Sequence, residues 1–234
     1  MIVLGSSPFC ASPAAPPDVA GHTIELFDSN HGRRIPARMY HPGPRRPLAL
    51  VLPGVGARPG DYSSIAGYLA KKGFAVAELQ LELPGDPPIP NAADVAALRR
   101  PELTVNVESV RYFVSKVREL RYANTNSPAV LVGHSNGGDV AMLYGSQHPS
   151  QVRAIFSLDN LRVPIPRVSR PHICSIRSNN QKADKGVVPS PAQARAFNMR
   201  IEQTRIRHED MWNAASEREQ KLITAALDSC LSDK

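Results

Sequence analysis

A serine flanked by glycines carries the clearest chemical signal in this sequence. Residues 133–138 read Gly-His-Ser-Asn-Gly-Gly, directly after the apolar run at 129–132 and before a helix-like segment. A serine on a sharp strand-to-helix turn needs nearly side-chain-free residues two positions before and after it, so that strand and helix can approach. Gly133 and Gly137 meet this requirement. The pattern predicts a nucleophile elbow at Ser135, and the alternative is a glycine-rich loop whose serine caps a helix.

His172 and His208 are the candidates for the base that such a serine needs. A serine hydroxyl is a poor nucleophile until a histidine accepts its proton and an acid orients that histidine. The other five of the seven histidines lie before the elbow or beside it in sequence. His172 begins a strand-like apolar run, whereas His208 lies in a loop between a strand and a new helix. We therefore expect His208 to be the base and His172 to be structural; the alternative for His208 is a solvated loop residue.

Two aspartates compete for the role of the acid. Asp184 lies in a polar loop after the predicted strand at 173–176, from which a carboxylate can reach the imidazole on the side opposite the serine. Asp159 follows the predicted strand at 152–157, one strand earlier. We favour Asp184 as the acid and keep Asp159 as the alternative.

Two backbone N–H groups are candidates for stabilising the negative charge that develops on a carbonyl oxygen during attack. Asn136 begins the helix after the serine, where the helix dipole adds to the effect. Val55 lies between Gly54 and Gly56, which allow the backbone to turn its amide towards the pocket. The alternative for this second segment is an ordinary glycine-rich turn after a buried strand.

The elements that must position these residues alternate along the chain. Short apolar runs predict strands at residues 23–27, 35–40, 48–52, 74–79, 129–132, 152–157, 173–176 and 201–206. Helical spacing predicts helices at 62–72 and 101–121, and a last helix that opens with a capping box at Ser216 and Glu219. We expect that last helix to bury Leu222, Ile223, Ala226, Leu227 and Cys230. The alternation predicts an α/β fold with a mostly parallel central sheet of about eight strands and helices on both faces.

These motifs resemble the α/β-hydrolase superfamily, in particular small bacterial serine hydrolases of the dienelactone-hydrolase-like or esterase-like kind. The resemblance extends from about Thr23 to the end and rests on residues 50–56, 73–77, 133–138 and 208–211. The chain departs from it at Pro53-Gly54, where relatives often carry His-Gly. The resemblance implies an α/β-hydrolase fold, with room here for only a minimal lid.

The resemblance also implies a serine, acid and histidine in that order along the chain, which Ser135, Asp184 and His208 satisfy. Some relatives take the acid from one strand earlier, where Asp159 stands. The function it implies is a serine hydrolase that acts by acyl transfer on carboxylic esters of small to medium acyl groups, with thioesterase, lactonase and amidase activities as alternatives. The alternative from another class is a non-catalytic ligand-binding or sensor module on the same fold.

Length and charge exclude several other classes. The 234 residues suffice for one core and contain no linker-like break, so we expect a single domain over residues 21–234. The formal charge of +7 is scattered without aromatic interleaving, which argues against nucleic-acid binding, and no apolar run is long enough to span a membrane. We expect a small-molecule ester as the partner and no cofactor; oligomeric state is left open. Arg162 and Arg167 are candidates to bind an acidic substrate group, but we favour a solvated basic rim.

The termini and the cysteines give weaker indications. Residues 1–20 are rich in Pro, Ala and Ser, which predicts a disordered segment or the remnant of an export signal. The protein is then periplasmic or secreted if that segment is a signal, and cytoplasmic otherwise. A bridge between Cys10 and Cys230 is conceivable, but we favour unpaired thiols at all three cysteines. Since no histidine or cysteine cluster has metal-ligand spacing, we predict no metal.

Overall fold

The computed structural model describes residues 20–83, 86 and 100–232. The predicted disordered or signal segment at 1–20 lies outside the described residues except for its last residue. Residues 84–85 and 87–99, which connect the fourth strand to the second described helix, also lie outside them. The structure therefore describes only part of the segments that could form a lid, and the minimal lid stays a prediction.

A single mixed sheet organises the described residues. Its eight strands are β1 (His22–Asp28), β2 (Arg33–Tyr40), β3 (Leu48–Leu52), β4 (Ala75–Leu79), β5 (Ala129–His134), β6 (Val152–Leu158), β7 (His172–Arg177) and β8 (Arg200–Gln203). Their order across the sheet is β1-β2-β4-β3-β5-β6-β7-β8. The β1–β2 and β2–β4 pairs are antiparallel, and all the other pairs are parallel. The carboxyl ends of the parallel strands therefore meet at one edge, where ligands bind in open α/β sheets.

Helices cover both faces of this sheet. Those within the described residues are α1 (Ser63–Lys71), α2 (Arg100–Glu119), α3 (Asn136–Gln147), α4 (Pro191–Ala196) and α5 (Glu217–Ser232). In β3 the three leucines pack into the core beneath α2 and α3, whereas Ala49 and Val51 pack into the core beneath α1 and α5. This alternation follows from the two-residue period of a strand, and burial on both faces explains the unbroken apolar runs. The predicted fold class is confirmed.

The ends of the helices follow from local sequence signals. The predicted capping box precedes α5: the Ser216 N–H donates to Glu219 Oε2 (2.9 Å), and the Glu219 N–H donates to Ser216 Oγ (3.4 Å). Helix α4 was not predicted, because it has six residues and buries none of them. A capping box between Ser190 and Gln193, together with Pro191 in the first turn, starts it.

One predicted core residue of the last helix is on the surface. Leu222 is 54% exposed, whereas Ile223, Leu227 and Cys230 are buried. These three residues are spaced by four and three positions and form one stripe of the helix. Leu222 precedes this stripe by one residue, about 100° around the axis, and so faces solvent.

A disulfide joins the last helix to the sheet. Cys174 in β7 and Cys230 in α5 are bonded through their sulfur atoms, and both residues are almost fully buried. The expectation of unpaired thiols is therefore wrong for these two residues, and so is a bridge from Cys10 to Cys230. The two partners are 56 residues apart in sequence, and only the packing of α5 against β7 brings them together.

Removing this bridge is expected to destabilise the fold. Closing a loop of this length restricts the unfolded chain, so the double substitution Cys174→Ser and Cys230→Ser should cost roughly 2–5 kcal/mol of unfolding free energy. Thermal unfolding should then occur roughly 5–15 °C lower. The control is Cys10→Ser, which leaves the bridge intact. The prediction fails if the non-reduced wild-type protein titrates with three free thiols, or if the double variant melts with the wild type.

Candidate active site

Ser135 lies at the turn between β5 and α3 in a strained backbone conformation. Its φ of 50° and ψ of −116° are unusual for a residue with a side chain. The turn is possible because strand and helix approach closely at two glycines. A Cβ at Gly133 would collide with the backbone of Gly137, and a Cβ at Gly137 would collide with the carbonyl group of Leu52 in β3. This packing places Ser135 at the carboxyl edge of the strands, where it lines a cleft.

Ser135, His208 and Asp159 form a continuous row of hydrogen bonds. His208 Nε2 lies 3.0 Å from Ser135 Oγ, and His208 Nδ1 lies 2.7 Å from Asp159 Oδ2. Because an ionised carboxylate only accepts, a neutral imidazole donates its Nδ1–H to Asp159 and leaves Nε2 free to accept the serine proton. His208 begins a short 3₁₀ turn (His208–Asp210) after β8, and Asp159 directly follows β6 with a φ of 58°. A non-glycine residue in this left-handed region is a second strained position at the same edge.

The Asp159 carboxylate is fully buried but paired on both oxygens. Arg177 Nη2 lies 2.9 Å from Oδ1, opposite the oxygen that faces His208. Burial alone would raise the pKa of Asp159. The hydrogen bonds from His208 and Ser178 and the positive charge of Arg177 outweigh burial, so its pKa lies below the ordinary value. The carboxylate is therefore ionised at neutral pH.

The structure brings Asp159, and not Asp184, to the imidazole, which corrects the favoured assignment of the acid. The Asp184 N–H donates to the carbonyl oxygen of Leu161 (2.9 Å), and the Asp184 carboxylate pairs with the guanidinium group of Arg162. These contacts hold Asp184 at the loop that follows β6, with its side chain directed to Arg162. Sequence position could not separate the two aspartates, because both follow strands at the same edge of the sheet.

The two candidate rim arginines also bind elsewhere in this chain. Arg162 pairs with Asp184, and Arg167 donates to the backbone carbonyl oxygens of Ile165, Gly186 and Val187. Both side chains therefore connect the loop after β6 to the loop after β7. Neither arginine is among the described residues that line the cleft over Ser135, so the structure gives no support to the less favoured possibility that they bind an acidic substrate group there.

Val55 lines the same cleft as Ser135, in the loop after β3. The N–H groups on either side of it are used: Gly54 donates to Tyr62 Oη (3.1 Å), and Gly56 donates to the Glu82 carboxylate (3.1 Å). The Val55 N–H itself has no hydrogen-bond partner among the described residues. Asn136 is the first residue of α3, so its backbone N–H lies at the positive end of that helix. Both sequence-predicted amides thus belong to segments that border Ser135.

The cleft over Ser135 has a volume of about 350 Å³. The loop after β3 forms one side, and His208, Glu209 and Trp212 form the other. Its surface is mainly apolar. Such a lining suits a neutral acyl or alcohol group better than a charged one.

His172, Cys174 and Cys230 are the described residues whose donor atoms come within metal-ligand distance of one another, all inside 4.8 Å. The two sulfur atoms are bonded to each other and are not thiolate ligands in this state. The absence of a metal centre remains a prediction. Of the described helices, none combines the length and apolar character required to cross a membrane.

The sequence did not indicate two side chains that lie beside the hydrogen-bonded residues Ser135, His208 and Asp159. Arg177 ends β7 as a buried residue, and nothing in its sequence context distinguishes it from the surface arginines. His134 was set aside because it adjoins the serine, yet its ring lies 4.7 Å from that of His208. Burial, together with the charge of the neighbouring His208, lowers the pKa of His134 to about 3. His134 is therefore neutral at any ordinary pH.

Known proteins share this architecture. A family model described as serine aminopeptidase, S33, matches residues 43–158, which contain Val55, Ser135 and the end of β6. Among solved structures, a dienelactone hydrolase-like promiscuous phosphotriesterase from metagenomic libraries superposes with a TM-score of 0.68 at 12% identity, covering 91% of this chain and 98% of the other. The protein has the α/β-hydrolase fold.

Other proteins with the α/β-hydrolase fold give similar agreement. Est1E from Butyrivibrio proteoclasticus has a TM-score of 0.61 at 12% identity and covers 92% of this chain and 100% of its own. The esterase Est22 has a TM-score of 0.62 at 13% identity, over 91% of this chain and 80% of its own. No protein with curated annotation matches the sequence. At such low sequence identities, the similarity to these structures establishes the fold alone.

A buried carboxyl group lies below the cleft in this α/β-hydrolase fold. Glu78 in β4 is fully buried, accepts the Tyr62 N–H on Oε1 (2.8 Å) and accepts the Tyr40 hydroxyl on Oε2 (3.1 Å). Burial raises the pKa of Glu78 to about 7 from an ordinary value of 4.5, and these hydrogen bonds oppose the rise only in part. Between about pH 4.5 and about pH 7, the folded chain therefore binds up to one more proton at Glu78 than the unfolded chain.

We expect Glu78 to make stability fall as the pH rises from about 4.5 to about 7, because the folded state binds the extra proton in that window. The substitution Glu78→Gln removes the titrating group and keeps the size and shape of the side chain. Between pH 5 and pH 8, the variant should gain up to about 3 kcal/mol of unfolding free energy relative to the wild type. Urea denaturation of both proteins at several pH values measures this. Parallel pH profiles for the two proteins would contradict the prediction.

Proposed function

We propose that this protein is a serine hydrolase that acts by acyl transfer on carboxylic esters of small to medium acyl groups. The observation that carries the proposal is the hydrogen-bonded row of Ser135, His208 and Asp159 beside a mainly apolar cleft. These residues have the chemical types and the contacts of a catalytic triad, in which a base activates a serine and an acid orients the base. The proposed triad takes Asp159 as its acid.

The reaction would begin when Ser135 Oγ attacks the ester carbonyl carbon and His208 Nε2 takes the hydroxyl proton. The negative charge on the carbonyl oxygen would be stabilised by the backbone N–H groups of Val55 and Asn136. His208 would then give its proton to the leaving alcohol, which leaves an acyl group on Ser135. A water molecule, deprotonated by His208, would attack this acyl-enzyme and release the carboxylic acid.

Asp159 supports this sequence through its charge and its position. It is ionised at neutral pH, so it stabilises the imidazolium that forms when His208 takes the serine proton. The ion pair with Arg177 holds the carboxylate in place at a distance of 2.9 Å. Because Asp159 is fully buried, water does not compete for its contact with His208.

The ester class is favoured by the cleft and by the neighbours of the fold. Its mainly apolar lining fits a neutral acyl chain, and the structural neighbour Est22 is described as an esterase. Thioesters, lactones and amides would pass through the same acyl-enzyme and remain alternatives. The non-catalytic module is less favoured, because a binding site has no need for a serine in hydrogen-bond contact with an imidazole.

A fluorophosphonate probe tests the nucleophile directly. An activated serine attacks phosphorus and displaces fluoride, so we expect covalent labelling at Ser135 alone, located by mass spectrometry. The Ser135→Ala variant should fold normally, remain unlabelled and lose at least about 10³-fold in kcat/KM on p-nitrophenyl acetate. A folded wild-type protein that neither reacts with the probe nor hydrolyses esters graded by acyl length would support the non-catalytic module instead.

Two matched substitutions identify the acid. The variant Asp159→Asn should lower kcat by roughly 10³- to 10⁴-fold, because an amide in place of the carboxylate favours the wrong imidazole tautomer. The variant Asp184→Asn removes the same charge from a partly exposed ion pair with Arg162, so its kcat should stay within about twofold of the wild type. Steady-state kinetics on p-nitrophenyl butyrate measures both. The reverse ranking would restore Asp184 as the acid.

A further inference from the structure

A chain of hydrogen bonds runs behind Ser135 and connects the loop after β3 to the backbone of His208. At one end, the Gly54 N–H donates to Tyr62 Oη over 3.1 Å. Tyr62 Oη lies 2.5 Å from His134 Nδ1. At the other end, His134 Nε2 lies 3.0 Å from the carbonyl oxygen of His208. Two side chains thus join the segment that carries Val55 to the segment that carries the imidazole.

The direction of every bond in this chain is determined by its ends. A backbone carbonyl oxygen only accepts, so His134 Nε2 carries the proton that it donates to His208. Since His134 is neutral, its Nδ1 has no proton and accepts the Tyr62 hydroxyl. The Tyr62 oxygen then uses a lone pair to accept the Gly54 N–H. Each donor and acceptor therefore has a single possible role, which makes this chain of hydrogen bonds rigid.

The chain is also shielded from water. Tyr62 is 2% exposed and His134 is 7% exposed. The Tyr62 N–H is held separately by the buried Glu78, so the start of α1 is fixed independently of the hydroxyl. The neutral His134 ring lies against the His208 ring and adds no positive charge beside the imidazolium that the reaction would form.

We propose that Tyr62 and His134 are positioning residues that hold the Val55 loop (residues 53–57) and the backbone of His208 at a fixed separation around Ser135. This inference rests on the proposed function, because it gives the network a role in the rate of that reaction. The Val55 loop presents a proposed oxyanion donor, and the His208 segment presents the proposed base. A small displacement of either segment would misalign a group that acts only in the transition state.

The substitution Tyr62→Phe tests the first link. It removes the hydroxyl and keeps the ring and the N–H donated to Glu78. We expect kcat to fall roughly 10- to 100-fold with KM within about twofold, because transition-state contacts are weakened more than substrate binding. The matched control is Tyr68→Phe in α1, which directly follows Tyr62; it removes a hydroxyl that contacts Asp228 and should leave kcat within about twofold.

The substitution His134→Gln tests the second link and covers the case in which Tyr62→Phe fails to fold. A glutamine keeps an amide donor for the His208 carbonyl oxygen and an acceptor for Tyr62, whereas His134→Leu keeps neither. We expect the Gln variant to retain at least about tenfold more kcat than the Leu variant. Nitrogen NMR of the wild-type protein should show His134 protonated on Nε2 from pH 5 to pH 9.

The outcomes separate this inference from the proposed function. If the fluorophosphonate probe leaves the wild-type Ser135 unlabelled, the proposed function fails, and the NMR result then tests the network alone. If the probe labels Ser135 in Tyr62→Phe at the wild-type rate, the positioning role is overturned and the proposed function stands. Wild-type kcat in His134→Leu, or a His134 proton on Nδ1, overturns it as well.

Discussion

The close approach of α3 to the carboxyl ends of β3 and β5 is the constraint on which the rest of the site depends. Gly133 and Gly137 lack the Cβ atoms that would separate helix from strand, and the backbone of Ser135 takes up the strain of the turn between them. The tight packing of buried parallel strands maintains that strain, because relaxing it would open the core on one face of the sheet. The serine is held at the edge where the loops after β3, β6 and β8 also converge.

Burial favours the neutral form of each ionisable group around this edge, and the contacts of that group decide whether it stays charged. Asp159 stays ionised in a water-free position because Arg177 and His208 pair with both of its oxygens. His134 and Glu78 form no ion pair within the described part of the chain, and burial displaces both towards their neutral forms. The result is a carboxylate that stays charged next to His208, whereas the His134 ring beside His208 carries no charge. The carboxylate thereby selects the tautomer in which His208 carries its proton on Nδ1.

The sequence was sufficient to predict the fold class and the contact between the side chains of Ser135 and His208, since periodicity reveals buried strands and the glycine spacing reflects a steric requirement that is local in the chain. It was insufficient for Asp159, because choosing between Asp159 and Asp184 depends on which side chain Arg162 attracts and which one Arg177 reaches. It was likewise insufficient for the bridge from Cys174 to Cys230, which depends on how α5 packs against β7. Leu222 shows that a helix can be predicted correctly while one of its residues is assigned to the buried face by mistake.

The partners of His208 are distant in sequence: Ser135 precedes it by 73 residues and Asp159 by 49. During translation, a chain grown just past α3 would contain the serine before the imidazole had been synthesised. The proposed activity would therefore arise late, after β8 and the turn that begins at His208 have left the ribosome. Until then, the growing polypeptide would lack the base of the proposed triad.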